Sequence, residues 1–97
     1  MPTSNDIVIH HKLGLHARPA ATFVKTAASF SSRITLENLS RGTQPVNAKS
    51  ILSVLTAGIK MDDQLRITAE GSDEAAAVSA LCELVASNFG ESVDESV

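Results

Sequence analysis

The segment with the clearest potential for chemistry is the run Gly14-Leu15-His16-Ala17-Arg18-Pro19-Ala20-Ala21. It places a histidine and an arginine two residues apart, where a helix is predicted to begin. An imidazole titrates near neutral pH and is a neutral nucleophile in that range. A guanidinium keeps its charge and offers phosphate oxygens a planar fork of donors. The first N–H groups of a helix lack internal partners and, with the helix dipole, favour an anion.

These parts are sufficient for phosphoryl transfer, which depends mainly on positioning and charge stabilisation. His16 would be the nucleophile and Arg18 the cation that neutralises phosphoryl oxygens. The spacing alone does not name phosphate as the ligand. A histidine near a helix start is also an ordinary capping or surface residue, so both interpretations stay open at this point.

The elements that must position this run follow from the periodicity of apolar residues. Strands are predicted at 6–10, 33–37, 44–48 and 64–70. Helices are predicted at 17–30, at 50–57 with Gly58 as terminator, and from the N-cap Ser72 to a closing Gly90. Pro19 suits a first helical turn, and Pro45 points to an edge strand. The order β-α-β-β-α-β-α and the alternating strands indicate an α+β fold, with helices on one sheet face and solvent on the other.

Composition limits the remaining possibilities. The 97 residues predict one domain with its core in 6–90 and a frayed acidic tail at 91–97. A net charge of −3 and the absence of Trp and Tyr argue against nucleic acid as a partner. The single Cys82 excludes an internal disulfide and is interpreted as a buried small hydrophobe. We see no signal peptide and no run of about 18 apolar residues, so a cytoplasmic protein without membrane insertion is predicted.

Three segments resemble the histidine-containing phosphocarrier (HPr) family of the bacterial phosphotransferase system. The first, 14–21, is similar to its active-site signature. The second, 47–55, is similar to its regulatory-serine region, and the third, 69–74, to its last strand-to-helix junction. They occur in the family's order at near-family separations, and the similarity runs from about residue 6 to residue 90.

The resemblance implies an open-faced β-sandwich, with a four-stranded antiparallel sheet in the order 1-4-2-3 and three helices on one face. It also implies that His16 accepts a phosphoryl group on Nδ1 from phospho-enzyme I, originally from phosphoenolpyruvate, and donates it to a histidine of enzyme IIA. Arg18 would steady the phosphate with the backbone N–H groups of Ala17 and Arg18. No metal or small cofactor is implied, and a monomer that meets several partners in turn is expected.

Ser50 matches the position that HPr kinase/phosphorylase modifies in many family members. A phosphate there would lie at a helix N-terminus and add about −1.5 to −2 charge, which would slow charging by enzyme I. The alternative is that Ser50 is simply an N-cap. Ile51, Leu52 and Leu55 cannot all face the core of so short a helix, so some are expected to remain exposed and to dock partners beside Ala20; the alternative leaves only one of them outside the core.

Several residues depart from the family pattern. His11 stands where related sequences usually have Asn; we interpret it, like His10, as solvent-exposed. Ala57 replaces a larger aliphatic residue. Lys60, Asp62 and Asp63 are interpreted as an ordinary solvated loop.

The residues also leave other functions open. The sequence suits the sugar branch or the nitrogen-related branch of the phosphotransferase system equally. A regulatory binding module would typically have lost the active-site histidine, whereas this chain has His16. A domain with a generic anion-binding helix end would bind phosphate without forming phosphohistidine. An enzyme with its own turnover is disfavoured, because no second acid–base residue partners His16 at a defined spacing and so small a chain leaves little room for a deep pocket.

Overall fold

The computed structural model describes residues 2–12, 14–15 and 17–90. Its elements are, in chain order, β1 (Thr3–Val8), α1 (Ala17–Ala28), β2 (Arg33–Asn38), β3 (Val46–Asn47), α2 (Ile51–Thr56), β4 (Gln64–Glu70), α3 (Glu74–Ala86) and a final 3-10 turn (Asn88–Gly90). The strands form one antiparallel sheet in the order β1-β4-β2-β3, and the helices cover one face. This confirms the expected open-faced α+β architecture.

The sheet face under the helices is built by strict alternation. In β2 and β4 every second residue is buried, and the intervening residues face solvent. α3 packs across β1 and β4, and α1 packs against both α2 and α3. The largest fully buried apolar side chains come from every layer and are Ile9, Phe23, Ile34, Leu36, Val54, Leu65, Ile67, Leu81 and Val85.

Several boundaries differ from the prediction. β1 spans Thr3–Val8 rather than 6–10, because the register Thr3↔Ala69 to Val8↔Gln64 gives its polar first residues partners on β4. α1 ends at Ala28, and Phe30 lies in a turn where its N–H donates to the Ala27 carbonyl. β3 is only two residues long, at the sheet edge, and Pro45 directly precedes it.

The start and end of α3 also correct the prediction. Asp73, not Ser72, occupies the N-cap position, and its carboxylate does not cap the helix. The helix ends at Ala86 rather than continuing to Gly90, because Asn88 and Phe89 adopt left-handed φ angles of 59° and 60°. The tail at 91–97 lies outside the described residues.

Cys82 is only partly buried, so its interpretation as a core residue is corrected. It packs against the edge of the core, and burial raises the pKa of its thiol against the lowering effect of a hydrogen bond with Asn5.

The Asp73 carboxylate joins the α1–β2 connection to the β4–α3 connection. It accepts hydrogen bonds from the N–H groups of Ser31 and Ser32, at 2.9 and 3.0 Å, and from the Ser32 hydroxyl. Gly71 packs so closely here that a Cβ would lie 2.7 Å from Ser32 Oγ. These donors favour the ionised form and lower the pKa of Asp73 to about 2.

We expect Asp73→Asn to lower the free energy of unfolding at pH 7. A carboxylate whose pKa is depressed by folding stabilises the protein above its unfolded pKa of about 3.9, and the contribution is lost as the pH falls toward 2. The gap between wild type and variant should therefore shrink between pH 4 and pH 2 in urea unfolding curves. A gap of equal size at pH 7 and pH 2.5 would show that the charge of Asp73 contributes nothing.

Candidate functional site

The start of α1 presents a cationic helix end. α1 begins at Ala17, so Ala17 and Arg18 supply the first N–H groups, which have no partner within a helix. Pro19 follows in the first turn, is buried and lacks an N–H. His16, the predicted nucleophile, lies outside the described residues; the residues on either side of it, Leu15 and Ala17, bring the chain to this helix end.

Arg18 is exposed, and no hydrogen bond or ion pair joins its guanidinium to any described residue. Its carbonyl oxygen accepts a hydrogen bond from the Thr22 hydroxyl, at 3.2 Å. The first turn of α1, all of it described, holds no acidic residue. A cation at a helix N-terminus is unfavourable with respect to the dipole, so this arrangement lowers local stability unless an anion is bound there. The site is therefore suited to an anion.

The loop that leads into this helix end is fixed by its backbone. The Gly14 N–H donates to the His11 carbonyl at 2.9 Å, and the Leu15 N–H donates to the Ile59 carbonyl at 3.1 Å. Gly14 has a φ of +69°, and a Cβ there would lie 2.7 Å from Lys60 Cα and closer still to the Ile59 oxygen. Gly14 and Leu15 therefore rest directly on the 57–60 turn, and only glycine fits at position 14. We refer to the described residues His11, Lys12, Gly14 and Leu15 as the 11–15 loop.

The interpretation of His11 as an exposed residue is wrong. Its side chain is buried, and its ring meets Phe89 edge-on, with centroids 5.9 Å apart and planes at 71°. Phe89 lies in the final 3-10 turn, and its left-handed backbone directs the phenyl ring back toward His11. His10, in contrast, is exposed as expected, and its Nδ1 lies 3.8 Å from Asp62 Oδ1.

A largely apolar face of α2 is exposed next to α1. Leu52 has 74% of its surface accessible, Ile51 has 38% and Leu55 has 39%, whereas Val54 is fully buried. The expectation that part of this helix remains exposed is confirmed, and the alternative in which only one of the three stays outside the core is wrong. We refer to Ile51, Leu52 and Leu55 as the exposed α2 face.

Ala20 does not belong to this surface. Its side chain is fully buried, because it lies with Phe23 and Ala27 on the side of α1 that faces the core. The prediction that Ala20 docks partners is corrected on that ground. Ala17 and Ala21, which lie on the other side of α1, are exposed.

Ser50 is the N-cap of α2, and its hydroxyl oxygen accepts a hydrogen bond from the Ser53 N–H at 3.3 Å. Ser50 therefore has the N-cap role that was the alternative to regulatory phosphorylation. Its side chain is half-buried, and the helix that it caps carries the exposed α2 face.

Sequence reasoning missed a polar network beneath the 57–60 turn. Asp63, interpreted as part of a solvated loop, has a side chain that is only 14% exposed. Its Oδ2 accepts hydrogen bonds from Asn38 Nδ2 and from the Lys60 N–H, both at 2.9 Å. Asn38 is fully buried at the end of β2, in phase with Ile34 and Leu36. That alternation was the available signal, since it places a polar amide where the strand pattern calls for an apolar side chain.

Among residues 2–12, 14–15 and 17–90, no three His, Cys, Asp or Glu side chains are grouped closely enough to hold a metal ion. None of the helices in the same ranges has the length and apolar character needed to cross a membrane.

Comparison with known proteins identifies the family. The family described as PTS HPr component phosphorylation site matches residues 3–87. The chain belongs to the HPr family. It is therefore placed among the phosphocarriers of the phosphotransferase system, in agreement with the resemblance of its three sequence segments.

Relatives of known structure share the fold. The phosphocarrier protein HPr of Bacillus anthracis is 37% identical, covers 87% of this chain and 96% of its own, and superposes with a TM-score of 0.81. An HPr dimer from Thermoanaerobacter tengcongensis is 47% identical, covers 88% of this chain and 94% of its own, and gives a TM-score of 0.72.

A longer relative is the multiphosphoryl transfer protein of Haemophilus influenzae, which is 39% identical over 85 residues, or 88% of this chain. The match spans only 17% of that protein. The HPr chain therefore corresponds to a small part of the multiphosphoryl transfer proteins that it matches.

Proposed function

We propose that this HPr chain carries a phosphoryl group on Nδ1 of His16. It would receive the group from the phosphohistidine of enzyme I, charged originally by phosphoenolpyruvate, and pass it to a histidine of an enzyme IIA domain. In each step the P–N bond to the donor imidazole breaks as a P–N bond to the acceptor imidazole forms. No metal or small-molecule cofactor takes part in this scheme.

The observation that carries the proposal is the cationic end of α1. Arg18 is exposed, makes no ion pair with any described residue and follows directly on the first N–H group of the helix. In the proposal, its guanidinium and the N–H groups of Ala17 and Arg18 neutralise the equatorial phosphoryl oxygens during transfer. Gly14 packs closely against the 57–60 turn, and this contact fixes the chain just before α1. Little reorganisation of the site is therefore needed during the reaction.

The test is the intact mass of the protein after incubation with phosphoenolpyruvate and enzyme I. Wild type should gain one acid-labile phosphoryl group, and His16→Ala should gain none. His10→Ala removes an exposed histidine outside the site and should gain the group as wild type does. Parallel reactions with the sugar and the nitrogen enzyme I assign the branch. Absence of the gain with both would favour a regulatory binding module that has kept the fold without the relay.

The exposed α2 face is proposed as the docking surface for enzyme I and enzyme IIA. An exposed apolar patch beside a reaction site is typical of a protein interface. We expect Leu52→Ala to raise KM for phospho-enzyme I by about 5-fold to 30-fold, the effect of losing about 1–2 kcal/mol at a contact, with kcat unchanged. Steady-state phosphorylation of the HPr variant measures both constants.

The control for this prediction is Met61→Ala, which removes an exposed apolar side chain outside α2. It should leave KM as in wild type. An unchanged KM in Leu52→Ala, with an unchanged thermal midpoint, would remove the exposed α2 face from the interface.

Ser50 is proposed as the site of HPr kinase/phosphorylase. A phosphate on this N-cap would retain the favourable interaction of an anion with the start of α2, while adding negative charge beside the exposed α2 face. Charging by enzyme I would slow because its phosphorylated form is also anionic. The chain is further proposed to act in the cytoplasm. We also propose that it is a monomer, since one patch must meet several partners in turn. The related HPr from T. tengcongensis is described as a dimer, so the oligomeric state in solution tests this point.

A further inference from the structure

Asp63 holds together three parts of the chain that meet beside the reaction site. Its carboxylate accepts hydrogen bonds from the Lys60 N–H and from Asn38 Nδ2, and its backbone carbonyl accepts one from Ile9 at 3.0 Å. Arg41 Nε lies 3.5 Å from the same Oδ2. One residue thereby connects the end of β1, the end of β2 and the 57–60 turn.

The buried partner Asn38 extends this network to α2. Its Nδ2 also donates to the Ala57 carbonyl at 3.2 Å, at the C-terminal end of the helix that carries the exposed α2 face. Burial raises the pKa of Asp63, but the hydrogen bonds from Lys60 and Asn38 and the charge of Arg41 outweigh it and keep the pKa below its usual value. The carboxylate is therefore ionised when the network is formed at neutral pH.

The 57–60 turn is the surface on which the 11–15 loop rests. Leu15 donates to the Ile59 carbonyl, and Gly14 leaves no space for a Cβ against Ile59 and Lys60. The other end of the loop follows Ile9, which is bonded to the backbone of Asp63. Both ends of the segment that leads to His16 are thus fixed by contacts that converge on Asp63.

We propose that Asp63 is a positioning residue for phosphoryl transfer: its carboxylate, locked by Asn38, fixes the turn on which Gly14 and Leu15 rest, just ahead of the proposed nucleophile His16 in the sequence. Asp63 is separated from the 11–15 loop by this turn and acts through it. The inference rests on the proposed function of His16 for its kinetic part, but its structural part does not require any phosphoryl transfer.

The test compares Asp63→Ala with two close variants. Asp63→Asn keeps one oxygen that accepts from Lys60 and Asn38. Asp62→Asn removes a carboxylate one residue away that is exposed, and Asn tolerates the left-handed φ of +74° at that position. We expect Asp63→Ala to lower kcat for charging by phospho-enzyme I about 10-fold at unchanged KM, since small misplacements in a transfer site cost up to about 100-fold. Asp63→Asn should largely restore kcat, and Asp62→Asn should match wild type.

The second readout is hydrogen exchange of the Leu15 amide, which reports the bond to Ile59 without any reaction. Its protection should fall in Asp63→Ala and be kept in the other two variants, while β4 amides stay protected in all. Unchanged Leu15 protection in Asp63→Ala would overturn the inference, and so would lost protection with unchanged kcat. If wild type takes up no phosphoryl group, the proposed function fails while Leu15 exchange still decides whether Asp63 fixes the loop.

Asn38→Thr is the second variant, for use if Asp63→Ala does not fold. Threonine suits the end of a strand and removes both Nδ2 hydrogen bonds of the network. It should lower Leu15 protection and kcat in the same direction. A folded Asn38→Thr protein with wild-type values of both would overturn the inference.

Discussion

Gly14→Ala will lower the free energy of unfolding by more than about 2 kcal/mol, because a left-handed φ alone costs a non-glycine residue about 1–2 kcal/mol and a steric clash adds to it. The added Cβ would lie 2.7 Å from Lys60 Cα, and backbone cannot yield as a flexible side chain does. The 11–15 loop must then lift away from the 57–60 turn. Urea unfolding followed by circular dichroism measures the loss.

Gly42→Ala is the matched control for this variant. Gly42 has nearly the same φ, +65°, but no atom of the other described residues, its two chain neighbours aside, lies within 4 Å of the Cβ position. It should show only the conformational cost of about 1–2 kcal/mol. Equal losses in the two alanine variants would mean that the loop does not press on the 57–60 turn, and the structural basis of the site would need revision.

In the proposed relay, Arg18→Ala will reduce the rate of phosphoryl transfer to His16 by about 10²-fold to 10³-fold, the range seen when one preorganised donor to a developing anion is removed. The fold should be kept or slightly stabilised, because a cation is lost from the positive end of α1. Quench-flow measurement of charging by phospho-enzyme I gives the rate, and thermal unfolding gives the stability.

Arg18→Lys separates charge from geometry. Lysine retains the positive charge but not the planar fork, so an intermediate rate is expected. Arg33→Ala, at an exposed arginine on β2, should transfer at the wild-type rate. A wild-type rate in Arg18→Ala would show that the backbone N–H groups suffice for the phosphoryl oxygens.

The parts of the fold that sequence predicts best are those set by local pattern. β4 was predicted at 64–70 and lies there, because its alternation is unbroken and Gly71 interrupts it. Gly58 ends α2 as expected, with a φ of +59°. The strand order could not be obtained from alternation, since each strand pattern is compatible with several neighbours; it came from the family resemblance and is confirmed by the pairing.

The features that sequence missed depend on contacts between distant residues. His11 is buried because Phe89, 78 positions away, folds back over it through a backbone conformation that aromatic residues rarely adopt. Asp63 and Asn38 look like ordinary loop and strand-end residues until the turn between α2 and β4 brings them together. At the site itself, the types and order of His16 and Arg18 predict the chemistry that is proposed, whereas the supports of the loop became visible only in three dimensions.

The shallow attachment of α2 has a consequence for its motion. Val54 is the one buried side chain within this six-residue helix, whereas α3 buries four. Elements with few buried contacts open in local fluctuations well below the free energy of global unfolding. The exposed α2 face therefore lies on an element that opens more readily than the sheet beneath it. If this face is the docking surface proposed above, it can adjust its shape to different partners without disturbing the core.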